Sequence, residues 1–241
     1  MQRVAAARSD GTPETGDGAQ ARFEARTRVW FRAGKRLAVL GALFFATGTA
    51  FAQAAKPTVL IFGDSLSAAY GLDARQGWPA LLAEALAPRG AAVVNASISG
   101  ETTQGGRERL PAELKRHQPR VVVIALGGND GLRGWPVAQT RANLAAMVQA
   151  AKAAKARVVL AGMQIPPNYG LDYARDFQAL FADLAKRENV VLVPFLLEGI
   201  AERFELFQAD KIHPTAAAQP MILKNVQPAV ARALQSTGKA P

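Results

Sequence analysis

The chain has 241 residues, 49% of them apolar, no cysteine and a formal net charge of +10. Without cysteine it has no disulfide, no thiolate metal site and no cysteine nucleophile, and its length suits one globular domain with a sizeable core. Because the basic residues form no tight cluster interleaved with aromatic residues, we expect no nucleic-acid partner.

The N-terminus has the layout of a secretory leader. Lys35 and Arg36 precede the apolar stretch 37–52, which ends in the small-residue pattern Ala-Phe-Ala. Such a sequence predicts a signal peptide. The apolar stretch is short for a membrane-spanning helix, so an uncleaved N-terminal anchor is the less favoured alternative. We therefore expect a leader over residues 1–52, cleaved after its last residue, a single domain over 53–241, and a periplasmic or secreted protein.

Five short apolar runs, rich in β-branched residues, predict the β-strands of this domain. They are apolar throughout instead of alternating, which is typical of parallel strands covered by helices on both faces. The runs are Thr58–Phe62, Ala92–Asn95, Val121–Leu126, Arg157–Ala161 and Val190–Val193. Because helical periodicity fills the segments between them, the sequence predicts a three-layer α/β/α sandwich. Parallel strands place their carboxyl ends at one edge, where ligands of open α/β sheets bind.

Some helix boundaries can also be predicted. Helices are expected to begin at Trp78, which precedes a proline, and near Thr102. The segment from Thr215 onward contains Pro220 and Pro228. Since proline breaks helix interiors, we expect two helical pieces there instead of one continuous helix.

The first strand runs directly into Gly63-Asp64-Ser65-Leu66. We expect Ser65 to lie near a helix N-terminus, where backbone N–H groups favour developing negative charge, and we interpret it as a nucleophile. A helix cap is the alternative, because Asp and Ser both cap helices well. Ser67 occupies the second glycine position of the pattern Gly-x-Ser-x-Gly, which argues against an α/β-hydrolase fold.

The loops after the second and third strands offer hydrogen-bond donors. Gly100 can present an unobstructed backbone N–H to a ligand, with an ordinary turn glycine as the alternative. Asn129, within Gly127-Gly128-Asn129-Asp130, has a side-chain N–H of the kind that forms oxyanion holes, with an Asx turn as the alternative.

Asp210 and His213 lie three residues apart, a spacing that brings both side chains to one side of a turn. A carboxylate beside an imidazole fixes the tautomer of the ring. The alternative is a surface Asp–His pair. The second histidine, His117, is predicted to be a solvated group on a polar helix-to-strand connection, so His213 is the candidate base for a serine nucleophile.

Together these blocks resemble the SGNH (GDSL-type) hydrolase family. The longer strings GDSLSAAYGL, GGNDGLRG and HPTAAAQP resemble its periplasmic subgroup of acyl-CoA thioesterase I, lysophospholipase L1 and arylesterase. The resemblance implies that Ser65 is the nucleophile, His213 the general base and Asp210 the residue that orients it. It implies an oxyanion hole formed by the N–H groups of Ser65 and Gly100 and the side chain of Asn129. It also implies a flavodoxin-like fold with strand order 2-1-3-4-5, and no metal or cofactor.

The reaction implied by the resemblance is hydrolysis of acyl esters and thioesters, such as aryl esters, acyl-CoA and lysophospholipids. We expect a monomer that makes transient contact with membrane lipid. After the fourth strand, Ile165, Pro166, Pro167 and Tyr169 are candidates for lining an acyl groove, with a loop that merely covers the core as the alternative. Two other functions stay open: a carbohydrate O-deacetylase with the same catalytic residues, and a non-catalytic flavodoxin-like binding module in which Ser65 is only a cap.

Overall fold

The structure is a computed structural model that describes residues 56–235. The predictions for the leader over residues 1–52 and its cleavage site lie outside the described residues. Among the residues described, no helix combines the length and the apolar content needed to cross a membrane.

The described residues contain one five-stranded parallel sheet in the order β2-β1-β3-β4-β5, which confirms the predicted fold class. The strands are β1 (Thr58–Gly63), β2 (Ala92–Asn95), β3 (Val121–Ala125), β4 (Arg157–Ala161) and β5 (Val191–Val193). Strands β1 and β3 are buried almost throughout, because helices cover both faces of the sheet. Their register places Gly63 beside Ala125, so both strands end at the same level.

Helices form the two outer layers of the sandwich. They are α1 (Trp78–Leu86), α2 (Thr103–His117), α3 (Gly128–Leu132), α4 (Val137–Ala153), α5 (Leu171–Glu188) and α6 (Gln219–Gln235). Helices α1 and α6 pack against each other on one face, and α2, α4 and α5 pack in a row on the other. The apolar stripe of α5 is fully or almost fully buried, and it consists of Phe177, Leu180, Phe181 and Leu184. Burial of each such side chain stabilises the fold by about 1.5–3 kcal/mol.

From residue 215 onward the chain forms a short 3₁₀ turn, Ala216–Ala218, and then α6, which continues past Pro220 and Pro228, so the prediction of a break at these prolines is wrong. Pro220 is the second residue of α6, where a backbone N–H has no acceptor within the helix and its absence costs little. Pro228 lies inside α6 and removes one backbone hydrogen bond. The two halves stay in line because both contribute to one buried apolar face, formed by Ile222, Val226, Ala229, Val230 and Ala233.

Candidate active site

Ser65 lies at the carboxyl end of β1 in a single turn and not at the start of a helix, so that prediction is wrong. The N–H of Ala68 donates to the carbonyl oxygen of Asp64 at 2.9 Å, which closes one helical turn. The N–H of Leu66 donates to Asp64 Oδ1 at 3.0 Å. Ala69 then adopts a positive φ of 58°, which ends the turn before a second one can form.

Gly63 lets the turn that carries Ser65 follow the strand directly. A Cβ added to Gly63 would lie 2.7 Å from Ser67 Oγ and 3.0 Å from the carbonyl oxygen of Ala125. The first distance is shorter than Cβ atoms tolerate and the second is unusually tight, so a side chain here would force the turn or β3 to shift.

The loop that precedes α6 brings His213 to Ser65. The Nε2 atom of His213 lies 2.9 Å from Ser65 Oγ, although the two residues are 148 positions apart in the sequence. On the other side of the ring, His213 Nδ1 lies 2.7 Å from Asp210 Oδ2. A carboxylate at this nitrogen keeps the proton on Nδ1, so Nε2 is free to accept the hydrogen bond from the Ser65 hydroxyl.

Asp210 is held as an anion by three donors. Its Oδ1 atom accepts the N–H groups of His213 at 3.0 Å and Ile212 at 2.9 Å, and its Oδ2 atom accepts the ring N–H of His213. The backbone N–H of His213 makes the largest contribution, and together these bonds lower the pKa of Asp210 to about 2. Asp210 is therefore a carboxylate at neutral pH, and it can stabilise a positive charge on the imidazole.

At the same edge, the backbone N–H groups of Ser65 and Gly100 have no protein acceptor within residues 56–235. Gly100 has a φ of +79°, and apart from its chain neighbours no protein atom lies within 4 Å of the position a Cβ would take. A ligand atom can therefore approach its N–H closely. The loop is tethered to β1, because the N–H of Ile98 donates to the carbonyl oxygen of Gly63 at 3.0 Å.

Asn129 lies in the short helix α3 and connects the other two loops. Its Nδ2 atom donates to the carbonyl oxygen of Glu101 at 2.9 Å and lies 3.4 Å from Asp64 Oδ2. The second distance is long for a hydrogen bond, so this is the weaker contact. The amide of Asn129 thus contacts Glu101, which follows Gly100, and Asp64, which precedes Ser65.

Asp64 is an unusual carboxyl group because it is only 2% exposed. Burial raises its pKa from 3.8 to about 7, the Leu66 N–H opposes this shift, and the charges of Asp130 and Glu101 add to it. Asp130 is also buried, and it accepts hydrogen bonds from the N–H and the hydroxyl of Thr103 at the start of α2.

The four residues predicted to line an acyl groove differ in their placement. Ile165 is 7% exposed and belongs to the core, where its Cγ2 atom occupies the space beside Gly131. Pro166 and Pro167 are exposed, and Tyr169 is 40% exposed. The segment after β4 thus offers open surface at Pro166, Pro167 and Tyr169.

His117 is the last residue of α2, so its predicted location on a connecting segment is wrong. Its Nε2 atom lies 3.1 Å from a carboxylate oxygen of Glu113, one helical turn earlier, and its side chain is 24% exposed. The pairing follows from the four-residue spacing on a helix.

Sequence reasoning missed the parts played by Asp64 and Glu101. By residue type Asp64 is a possible helix cap. Its position directly after a wholly apolar strand also indicates a carboxyl at the margin of the core. Glu101 has no comparable signal, because its backbone carbonyl, and not its side chain, holds Asn129.

The chain is similar to several known proteins. Residues 61–219 match the model of the GDSL-like lipase/acylhydrolase family. The esterase TesA of Pseudomonas aeruginosa is 54% identical over 178 residues, which cover 73% of this chain and 89% of that protein. Thioesterase 1/protease 1/lysophospholipase L1 of Escherichia coli K12 is 47% identical over 184 residues, 75% of this chain and 88% of that protein. Among solved structures, the chain resembles that of the psychrotrophic esterase EstA from Pseudoalteromonas sp., inhibited by monoethylphosphonate, with a TM-score of 0.71 and 40% sequence identity. The match covers 75% of this chain and 100% of that one.

The Asp64→Asn variant should become more stable relative to the wild type as the pH rises from about 4 to about 7. In the unfolded chain Asp64 titrates near 3.8, whereas in the folded protein its pKa is about 7. Over this window the folded wild type retains a proton that the unfolded chain has released, so its free energy of unfolding falls with rising pH. The difference between the two proteins should grow by on the order of a few kcal/mol and then level off, as measured by urea denaturation at several pH values.

The comparison isolates the proton at Asp64. Any fixed cost of placing an asparagine beside Asn129 shifts the difference equally at every pH. Asp183→Asn is the matched control, because Asp183 is an exposed aspartate on α5. A difference that stays flat from about pH 4 to about pH 8 would show that Asp64 is ionised throughout this range.

Proposed function

The chain belongs to the GDSL-like lipase/acylhydrolase family, and from this premise we propose a serine esterase that hydrolyses acyl esters and thioesters through an acyl-enzyme on Ser65. The proposed substrates are aryl esters, acyl-CoA and lysophospholipids, in keeping with the esterase, thioesterase and lysophospholipase activities for which its relatives are named. The observation that carries the proposal is the 2.9 Å contact between Ser65 Oγ and His213 Nε2, with Asp210 on the opposite nitrogen of the ring.

In the first half of the reaction, Ser65 Oγ attacks the acyl carbonyl carbon while His213 Nε2 takes the hydroxyl proton. The carbonyl oxygen becomes an oxyanion, and the imidazole becomes a cation beside the carboxylate of Asp210. When the tetrahedral intermediate collapses, the bond to the leaving group breaks and His213 gives its proton to the departing alcohol or thiol. The acyl group is then an ester of Ser65.

In the second half, a water molecule attacks the acyl-enzyme and His213 takes its proton. Collapse breaks the bond to Ser65 Oγ, which regains its proton from His213, and releases the carboxylic acid. Asp210 remains ionised throughout, because its pKa of about 2 is far below that of a group that exchanges protons at neutral pH.

The oxyanion in both halves is assigned to the N–H groups of Ser65 and Gly100 and the side chain of Asn129. Support comes from the two backbone donors, which lack a protein acceptor within the described chain, and from the open space at Gly100. Preorganised donors of this kind stabilise developing charge without reorganising during the reaction.

Exposed apolar side chains close to Ser65 and His213 support an acyl or lipid ligand. Tyr70 is 49% exposed, and its ring centroid lies 4.3 Å from that of His213. Ile212 precedes His213 and Ile98 is bonded to the end of β1, and each is 48% exposed. We propose that these groups contact the acyl chain and, transiently, membrane lipid. We also propose a monomer, in keeping with a site whose Ser65, His213 and Asp210 all come from one chain.

We propose that the enzyme acts in the periplasm or outside the cell. This proposal rests on the basic pair Lys35-Arg36, the apolar stretch 37–52 and the Ala-Phe-Ala pattern at its end. The catalytic domain in this proposal is the segment 53–241.

Ser65→Ala should lower kcat by on the order of 10⁴–10⁶, which abolishes useful turnover. The fold should stay intact, because only the nucleophilic oxygen is removed. The measurement is a chain-length series of p-nitrophenyl esters, run with acyl-CoA and lysophospholipid. Ser67→Ala is the matched control, since Ser67 Oγ is buried with no hydrogen-bond partner in the described chain, and it should retain activity.

Two results would contradict this assignment. Residual turnover by Ser65→Ala close to the wild-type rate, or mass spectrometry that finds a fluorophosphonate adduct on another residue, would remove Ser65 from the reaction. Hydrolysis confined to acetyl esters, with acetylated glycans as the better substrates, would point instead to a carbohydrate O-deacetylase.

Asn129→Ala should lower kcat by about 10²–10³ and change KM little, because the lost N–H acts mainly on the transition state. Asn225→Ala is the matched control, because the Asn225 amide likewise contacts two acceptors, the backbone carbonyls of Leu196 and Glu198, in another part of the fold. Steady-state kinetics on one ester give both constants. Equal kcat values for Asn129→Ala and the wild type would exclude the amide from the oxyanion hole.

Export of the full chain in a bacterial host should yield a mature protein that begins at Gln53. Replacement of both Lys35 and Arg36 by glutamate should reduce processing, because the basic pair directly before the apolar stretch becomes acidic. N-terminal sequencing and cell fractionation measure both effects. A membrane-bound product that keeps its leader would favour an uncleaved anchor.

A further inference from the structure

The two segments that carry Ser65 and His213 are far apart in the sequence, and few bonds join them directly. We name residues 64–72 the nucleophile turn and residues 206–215 the histidine loop. The histidine loop is closed by its own backbone: Gln208 N–H donates to the carbonyl oxygen of His213 at 2.8 Å, and Thr215 N–H to that of Leu206 at 2.7 Å. These bonds shape the loop, but they do not fix its distance from Ser65.

One side chain makes that connection. Gln208 Nε2 donates to the carbonyl oxygen of Tyr70 in the nucleophile turn at 2.8 Å. The same nitrogen donates to the carbonyl oxygen of Pro214, next to His213, at 3.2 Å. Apart from the Ser65–His213 contact itself, the bond to Tyr70 is the direct hydrogen bond between the two segments in the described part of the chain.

The Gln208 amide lies where a Cβ of residue 71 would be, so it can occupy this position because residue 71 is a glycine. A Cβ added to Gly71 would lie 2.2 Å from Gln208 Oε1. Gly71 also has a φ of +75°, which glycine adopts without strain. Gln208 thus occupies a space that the backbone of the nucleophile turn leaves open for it.

We propose that Gln208 is a positioning residue that holds the histidine loop against the nucleophile turn and so sets the alignment of Ser65 Oγ with His213 Nε2. Both of its N–H groups are used, one on each segment. The ring of Tyr70 lies against that of His213, with the planes 36° apart, so the residue that Gln208 binds also contacts the base. This inference rests on the proposed ester hydrolysis at Ser65.

A side chain that aligns two reacting groups acts on kcat, because displacement by about 1 Å can slow a reaction by about a hundredfold. It need not act on KM, since the surfaces assigned to the acyl chain remain. Gln208→Leu keeps a branched side chain of similar size and removes both donors. We expect kcat to fall between about ten- and a hundredfold, with KM within about twofold of the wild type.

The kinetic test uses the full chain and p-nitrophenyl esters, with rates expressed per active site titrated by a fluorophosphonate. Because titration counts only active sites that react, misfolded protein does not affect the rate per site. A variant that only lowered the folded fraction would therefore keep the wild-type kcat per titrated site. Gln139→Leu is the control, because Gln139 is an exposed glutamine on the first turn of α4. A kcat per titrated site of Gln208→Leu within about twofold of the wild type would overturn the proposal.

A second pair of variants keeps the amide and moves it. Gly71→Ala and Gly90→Ala impose similar backbone strain, because the two glycines have φ values of +75° and +71°. Only at Gly71 would the new methyl group displace Gln208, since nothing lies within 4 Å of the corresponding position at Gly90. We expect Gly71→Ala to lose at least about fivefold in kcat and Gly90→Ala to stay within about twofold of the wild type. Equal kcat values for these two variants would also overturn the proposal.

Failure of the proposed function is distinguishable from failure of this inference. A wild-type protein without esterase activity and without fluorophosphonate labelling would overturn both. An active wild type whose Gln208→Leu and Gly71→Ala variants match their controls would overturn only the positioning role of Gln208.

Discussion

The parallel direction of all five strands is the constraint on which the site depends, because it delivers every strand's carboxyl end to one edge of the sheet. Ser65 follows β1, Gly100 follows β2 and Asn129 follows β3, so three separate loops meet without any strand having to bend. Reversing one strand would send its loop to the opposite edge, about 15–20 Å away for strands of this length. The register of β1 against β3, with Gly63 beside Ala125, then brings the nucleophile turn and α3 to the same level.

Three carboxyl groups lie behind the proposed oxyanion hole, and each is accommodated differently. Asp130 accepts two hydrogen bonds from Thr103, and Glu101 pairs with Arg109 at 3.0 Å. Asp64 has no cation among its hydrogen-bond partners, and burial raises its pKa to about 7. A protonated Asp64 does not repel a negative charge that develops on a bound carbonyl oxygen, whereas an ionised one would. The fold therefore raises the pKa of Asp64, which precedes the proposed nucleophile, and lowers the pKa of Asp210, which contacts the proposed base.

How far the sequence predicts this protein depends on the range of the interactions involved. The buried strands were predictable to within a residue because a parallel strand must be apolar on both faces. The sequence predicts that Ser65 and His213 lie at the same edge of the sheet, because both residues follow strands. It does not predict the contact between their side chains. The continuity of α6 through Pro228 was not predictable, because the apolar contacts that outweigh the lost hydrogen bond lie on other elements. Gln208 was equally hidden, since its partner is the backbone carbonyl of Tyr70, 138 positions away, and a carbonyl has no signature in a sequence.

The order of the site residues along the chain has a consequence for biosynthesis. When translation has reached the end of β5 at Val193, the chain contains Ser65, the loops that carry Gly100 and Asn129, and every strand. It does not yet contain His213, which comes twenty residues later and supplies the imidazole beside the Ser65 hydroxyl. A chain that ends at β5 therefore lacks the proposed base, whatever part of its sheet has formed. The histidine loop and the start of α6 must be in place before Ser65 can meet His213.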